Sequence, residues 1–267
     1  MRFFMAWFHK FQSTVWLEAT GRIGDSPLFI ADYLLRITRV VVLLSVWRLI
    51  YAGRAEASGL TLAGVLTYTL LAEVFREPLE CRGSGLEQAL WDGSISLCLL
   101  RPFGIFSQFA ALKIGGWLFS LVFFSLPLLL AAPVLGVNPL PAYGHLAVFF
   151  LFSLLLAILV GLALEFILAA FMVDLAHNLY AIQRIREIVI TVFSGTLLPL
   201  ALMPWGIGSV FAWLPFAAMA SIPLQIYVGT IHPLTGAGVQ LVWNLILWPL
   251  AFRLWQRRRE RLVSHGG

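Results

Sequence analysis

The stretch Ile188–Phe252, IVITVFSGTLLPLALMPWGIGSVFAWLPFAAMASIPLQIYVGTIHPLTGAGVQLVWNLILWPLAF, contains no Asp, Glu, Lys or Arg. It is about three times as long as the roughly 20 apolar residues that one helical crossing of a bilayer requires. At least two membrane spans therefore lie within it. Its first two thirds carry Gly195, Pro199, Pro204, Gly206, Gly208, Pro215, Pro223 and Gly229, too many breakers for one continuous helix. Irregular backbone at membrane depth persists only where protein or a water-filled cavity satisfies its polar groups. The expectation is a fifth span from Ile188 to about Met203, a re-entrant region over 204–232 that dips back from the outer face, and a sixth span from Gly238 to Leu254.

Working outward, Ile114–Val137 and Ala147–Leu164 are long charge-free runs separated by Asn138-Pro-Leu-Pro-Ala-Tyr-Gly-His145, a cluster of turn residues. They read as a helical hairpin. Two further spans are expected at Asp32–Tyr51 and Leu60–Arg76, although Arg36, Arg39 and Arg48 interrupt the first. Arg36 and Arg39 are about one turn apart, and a charge at mid-bilayer is costly, so they should snorkel to the headgroups or point into the protein. Over 267 residues the chain is 60% apolar and 12% charged, with mean hydropathy +0.90, whereas a soluble domain has about twice that charge. The fold class is an all-α integral membrane protein with six transmembrane helices, read as a single domain over 1–267.

Orientation follows from the basic residues, because loops rich in Lys and Arg stay in the cytoplasm. Six spans place Arg2, Lys10, Arg22, Arg76, Arg82, Arg101, Arg184, Arg186, Arg253, Arg257, Arg258, Arg259 and Arg261 on one side and Arg54 alone on the other. Both termini are thus expected in the cytoplasm. The net charge of +5 reports topology, and no soluble platform exists for nucleic acid. Cys81 and Cys98 fall on the reducing side, without C-x-x-C spacing, and read as unpaired small fillers.

Residues 1–25 do not form a cleavable leader, since His9 and Lys10 break the apolar run. Phe4, Phe8, Phe11 and Val15 repeat at helical spacing, the pattern of an amphipathic elbow helix lying at the membrane surface. Between spans two and three lies the largest charged loop, 77–102. Leu86, Leu90 and Trp91 share an apolar face, Asp92-Gly93-Ser94 breaks it, and Ile95–Leu100 starts a second segment that Arg101-Pro102 ends. A loop merely packed under the bundle is the plain alternative.

Several chemistries are missing. No G-x-x-x-x-G-K-[ST] loop is present and the only lysines are Lys10 and Lys113, so any ATP and Mg belong to a partner. His9, His145, His177, His232 and His265 are scattered, without metal-site spacing. Ser194-Gly195 lacks the elbow of a serine hydrolase and suits helix packing or breaking. Glu73 and Glu165 lie near cytoplasmic ends, where interfacial solvation is the expected role.

The run Trp91-Asp-Gly-Ser-Ile-Ser-Leu-Cys-Leu-Leu-Arg-Pro102 resembles the Leu-Leu-Arg-Pro signature in permease subunits of bacterial type-2 ATP-binding cassette exporters. Phe193-Ser-Gly-Thr-Leu-Leu-Pro-Leu200, Leu214-Pro-Phe216, Ile222-Pro-Leu224 and Gln240-Leu-Val-Trp243 are similar to that family in order and spacing, as is the arginine-rich tail ending in Gly266-Gly267. The resemblance implies a subunit of the bacterial inner membrane that pairs with a second permease, preferably a sister type as the Thr67-Tyr68 pair suggests. Two cytoplasmic ATPase subunits would complete the complex. Glu87, Trp91, Asp92, Gly93, Leu100, Arg101 and Pro102 would couple to the ATPase. Phe193, Ser194, Gly195, Pro199, Pro204, Pro215, Phe216 and Pro223 would form the outer gate. Apolar, aromatic-rich walls suit an amphipathic or lipid-like cargo or drug. The rivals are a membrane scaffold or lipid-headgroup enzyme, for which no convergent polar residues are expected within the spans beyond Asn178, Asn244 and Gln225, and a secondary transporter, which should show two matched halves.

Overall fold

The computed structural model describes residues 2–21, 29–53, 56–57, 59–82, 86–91, 93–101, 103–172 and 179–264. Among them the architecture is helical apart from one two-stranded ladder, Glu56–Ala57 with Leu60–Thr61. The chain runs through α1 (Arg2–Gly21), α2 (Phe29–Ile50), α3 (Leu62–Val74) and the short α4 (Arg76–Leu79). In the loop follow α5 (Leu86–Trp91) and α6 (Ile95–Leu100). Then α7 (Ile105–Ser120) continues through a π turn, Leu121–Ser125, into α8 (Leu126–Ala131). The long α9 (Gly144–Met172) and α10 (Leu179–Phe193) precede α11 (Ile207–Phe211), α12 (Pro215–Met219) and α13 (Ser221–Val228), and α14 (Pro233–Ser264) ends the described chain.

Three of these helices are long and apolar enough to cross a bilayer: Ile105–Ala131, Gly144–Met172 and Pro233–Arg257. The others fall short for physical reasons. Asp32, Arg36, Arg39 and Arg48 load α2 with charge, α3 has only 13 residues, and α10 carries Arg184, Arg186 and Glu187. The fifth span was expected to begin at Ile188, but α10 begins at Leu179 and ends at Phe193. The charged residues that appeared to precede the span are inside its helix, because Arg186 finds buried partners there. Gly195, at φ +82°, ends it in a conformation that favours glycine.

In a bilayer the hydrophobic effect no longer drives helix association, so packing and interhelical hydrogen bonds carry it. The closest-packed pair, α9 and α14, shows both. Gln240 is fully buried; its Nε2 donates to the Ser153 carbonyl at 3.0 Å and to Ala218 of α12 at 2.8 Å, while the Ser153 hydroxyl donates to its Oε1 at 2.8 Å. Asn244, one turn on, donates to the Leu156 carbonyl. Lower down, Phe106, Phe166, Trp248 and Trp255 interlock at tilted or edge-on angles. The elbow α1 packs lengthwise along α7: Trp7 meets Phe103, and Gly115 leaves room for the Val15 carbonyl.

One end of the bundle is closed by Thr67 donating to the Asn138 carbonyl, Tyr227 donating to the Pro139 carbonyl and the Ala142 amide donating to the Tyr227 carbonyl. The broken region α11–α13 turns back along α9. Its Met219 reaches Gly161 of α9, four turns along from Leu146, which lies beside Gly229, and α13 then carries the chain back to Tyr227 at the closed end.

Candidate functional site

The opposite end of the bundle is organised by three consecutive residues, Glu80, Cys81 and Arg82, where the chain leaves α4 to enter the 77–101 loop. All of Glu80 and Cys81 is buried. Cys81 is one of two non-glycine residues at positive φ among the described residues, φ 48°, a conformation held only where surrounding contacts over-determine it. Those contacts are numerous. The Cys81 carbonyl accepts from Lys113 Nζ of α7 at 3.0 Å and from Arg186 Nη2 of α10 at 3.0 Å. Its thiol donates to Glu165 Oε2 of α9 at 3.3 Å. The Arg82 carbonyl accepts from Trp117 Nε1 of α7 at 2.8 Å.

Glu165 in turn pairs with Lys113 at 2.8 Å and lies 3.9 Å from Arg186. Lys113 and Glu165 are only 1% and 3% exposed. A buried charge of this kind is tolerated only when paired and hydrogen-bonded. Gly161 is part of the same fit, since a Cβ there would meet Cys81 Cβ at 2.9 Å and Met219 Cε at 3.1 Å. Burial pushes the Cys81 thiol up to about 12, with Lys113 and Arg186 pulling it down and Glu165 raising it.

Glu80 carries the hub to the broken segment. Its Oε1 accepts the Thr196 hydroxyl at 2.8 Å, while its Oε2 pairs with Arg82 and, at 3.6 Å, with Arg76. Thr196 also touches the Ser194 hydroxyl at 3.2 Å, and the Gly195 carbonyl accepts from the buried Tyr68 hydroxyl at 2.8 Å. Phe193 meets Phe211 at a tilt, ring centroids 4.4 Å apart, and lies 6.1 Å from Phe216. The expected gate residues thus separate into groups. Phe193, Ser194 and Gly195 meet the hub and Phe216; Pro199 and Pro223 are buried; Pro215 is half-buried at the start of α12; Pro204 is exposed.

A belt of arginines extends the hub to α2. Arg36 pairs with Glu77 at 2.5 Å and Asp32 at 3.4 Å, and Arg39 with Glu73 at 3.0 Å. Both arginines therefore point into the protein. Glu73 and Glu165 were expected to be solvated at an interface. Instead both are buried in ion pairs, because cations on α2, α7 and α10 reach them. The expectation of no convergent polar residues within the helices fails for the same reason, and Cys81 is a hydrogen-bonding member of the hub rather than an apolar filler.

The loop beyond the hub has the two-segment form expected. Leu86, Ala89 and Ile95 are buried, Gly93 breaks the segments at φ +74°, and Leu97, Leu100 and Arg101 are exposed, Leu100 by 80%. Gln108 of α7 staples the far end by donating to the Cys98 and Phe103 carbonyls. Asp92 and Pro102 lie outside the described residues, as do the side chains of Glu87 and Trp91. The loop therefore presents an exposed rim on a root that is locked to α7, α9 and α10.

Glu80, Cys81, Lys113, Glu165, Arg186 and Thr196 were not singled out together from the sequence. One signal could have found them: Lys113 and Glu165 are opposite charges in otherwise apolar runs, and such charges call for each other.

No curated protein and no solved structure matches the chain. A family model described as ABC-2 family transporter protein matches residues 37–266, a span that includes the hub, the loop and the broken region. The chain is a membrane-embedded helical bundle and belongs to the ABC-2 transporter family as the permease subunit of an ATP-binding cassette transporter.

Proposed function

We propose that the chain forms, with a second permease subunit of a sister type and two copies of a cytoplasmic ATPase, a complex that exports an amphipathic or lipid-like compound across a bacterial inner membrane. In this reading the chain crosses six times with both termini in the cytoplasm, residues 77–102 dock on the ATPase, and 204–232 form the outer re-entrant region. ATP and Mg act in the partner. The observation that carries the reading is the Glu80–Cys81–Arg82 hub, because it joins the loop root to α7, α9, α10 and the 194–196 break within one hydrogen-bonded unit.

The mechanism follows from stiffness. Leu97, Leu100 and Arg101 offer the ATPase a mixed apolar and basic face, and Glu87, Trp91, Asp92 and Pro102 belong to the same docking loop by sequence. A displacement of this face cannot be absorbed at the root, where breaking a buried pair costs about 3–5 kcal/mol. It passes instead to Thr196 through Glu80. There Phe193, Ser194 and Gly195 shift against Tyr68, Phe211 and Phe216, and Pro199, Pro204, Pro215 and Pro223 set the hinges of the gate.

Replacing Gly93 with valine and Arg101 with alanine together tests the docking role. Gly93 sits at φ +74°, where a β-branched residue is strained, and Arg101 is exposed. The double variant should reach the membrane in normal amount, with the reconstituted complex hydrolysing ATP but not transporting. Wild-type transport would show that the loop does not couple.

A further inference from the structure

Helix α14 has 32 residues. At 1.5 Å per residue it rises about 48 Å, well beyond the roughly 30 Å of a bilayer's hydrocarbon core. Its stretch suited to crossing ends at Arg257, and the surplus is at the C-terminal end. There Arg253, Arg257, Arg258, Arg259 and Arg261 stand against a single carboxylate, Glu260. Because the helix runs unbroken from the apolar stretch to Ser264, it holds these charges at fixed heights.

One stripe of α14 sets where they go. Gln240, Leu247, Ala251 and Trp255 are buried against the bundle. On the other side Val242, Ile246 and Leu250 are exposed at helical spacing, and the same stripe continues through the exposed Arg253 and Arg257 to the register position of Arg261. The face that meets acyl chains thus turns basic within two turns. Arg253 lies about 4.5 Å and Arg257 about 10 Å past Leu250 along the axis, and the headgroup layer is about 5–7 Å thick. Arginine stems are long enough to set both guanidinium groups in that layer. Arg36, Arg39, Arg76 and Arg82 are paired inside the chain. By contrast, neither Arg253 nor Arg257 has an ion pair among the described residues, so their counter-charge comes from outside it.

We propose that the foot of α14 is a docking surface for anionic phospholipids of the adjoining leaflet, with Arg253 and Arg257 at the headgroup phosphates, Arg261 on the next turn, and Val242, Ile246 and Leu250 along the acyl chains. Basic clusters directly beyond a membrane helix attract anionic leaflets, each arginine strengthening the attraction about fivefold. The same part of α14 packs Trp255 against Phe106 and Phe166, so bound lipid steadies the helix that braces α7 where it leaves the loop. The proposal requires only that α14 cross the membrane; it does not rest on the cargo or on the ATPase.

The purified chain in nonionic detergent tests it, titrated with phosphatidylglycerol or with phosphatidylcholine of the same chains. Phosphatidylglycerol should raise the unfolding temperature at concentrations where phosphatidylcholine does not, and the difference should shrink as salt screens the contact. Arg253→Gln, Arg257→Gln and Arg261→Gln together should raise the phosphatidylglycerol concentration needed about 100-fold, whereas the matching lysine variant, which keeps the charge, should stay close to the unaltered chain. A photoactivatable phosphatidylglycerol on the unaltered protein should label residues within 242–261. An equal shift with phosphatidylcholine, a response untouched by salt, an undiminished response in the folded glutamine variant, or labelling confined to other helices would each overturn the proposal. So would a glutamine variant that keeps its phosphatidylglycerol response but no longer retains the ATPase, which would make the arginines a protein-docking face.

Discussion

Thr196→Val is the substitution that separates coupling from folding most cleanly. Valine has nearly the same shape as threonine, so it removes the hydroxyl's hydrogen bonds, the shortest of them to Glu80 and the weaker ones to Ser194 and the Thr191 carbonyl, and little packing. The lost hydroxyl donates to Glu80 Oε1 at 2.8 Å. A hydrogen bond to a charged acceptor contributes about 1.5–3 kcal/mol. Glu80 keeps Arg82 and Arg76 on its other oxygen, so it is not left as an uncompensated buried charge, and the lower end of that range applies. Losing about 1.5 kcal/mol shifts the linked equilibrium between loop and gate roughly tenfold. The complex with its ATPase, reconstituted in liposomes, should then hydrolyse ATP near the normal rate while moving about tenfold less cargo per ATP. Thr196→Ser, which keeps the hydroxyl, should restore the ratio. Unchanged cargo per ATP in a well-expressed Thr196→Val complex would refute the path through Glu80. A proportional fall of transport and hydrolysis, matched by lower protein yield, would also refute it, by reducing the contact to a fold determinant.

Two other outcomes follow from the hub. Lys113→Met alone should destabilise the protein by about 3–5 kcal/mol, because Glu165 remains buried without its closest cation, whereas Lys113→Met with Glu165→Leu should recover most of that loss; thermal unfolding in detergent measures both. Cys81, with its thiol pushed up to about 12, should stay unmodified by a maleimide at pH 8 while the half-buried Cys98 reacts, since only thiolate is nucleophilic; mass spectrometry of the labelled peptides reads the ratio, and rapid labelling of Cys81 would mean that the hub opens.

The membrane class was legible from Ile188–Phe252 alone, because length and lack of charge are properties of the chain before it folds. The loop was legible for a local reason: Asp92-Gly93-Ser94 and Arg101-Pro102 punctuate short apolar segments, and Gly93 adopts the positive φ that such a break uses. The hub was hidden because its parts come from positions as far apart as Cys81 and Arg186. In sequence, Arg186 reads as the flank of a span, and only the fold makes it an interior cation beside Cys81. The start of α10 was misplaced by the same error, which treated charge as the boundary of a helix that in fact buries Arg186. Gly195 and the prolines that follow it were legible as breakers, yet nothing local to Ser194-Gly195-Thr196 shows that Glu80 and Tyr68 hold them.

The docking of the loop on the ATPase is tested most directly at Leu100, which is 80% exposed at the end of α6. With Cys98 replaced by serine, Leu100→Cys carrying a cysteine-linked photocrosslinker should join the permease to the ATPase subunit in the assembled complex. The same reagent on Trp205→Cys, 91% exposed in the broken segment before α11, should give no such product. A crosslink to the ATPase from position 205 and none from position 100 would contradict the account.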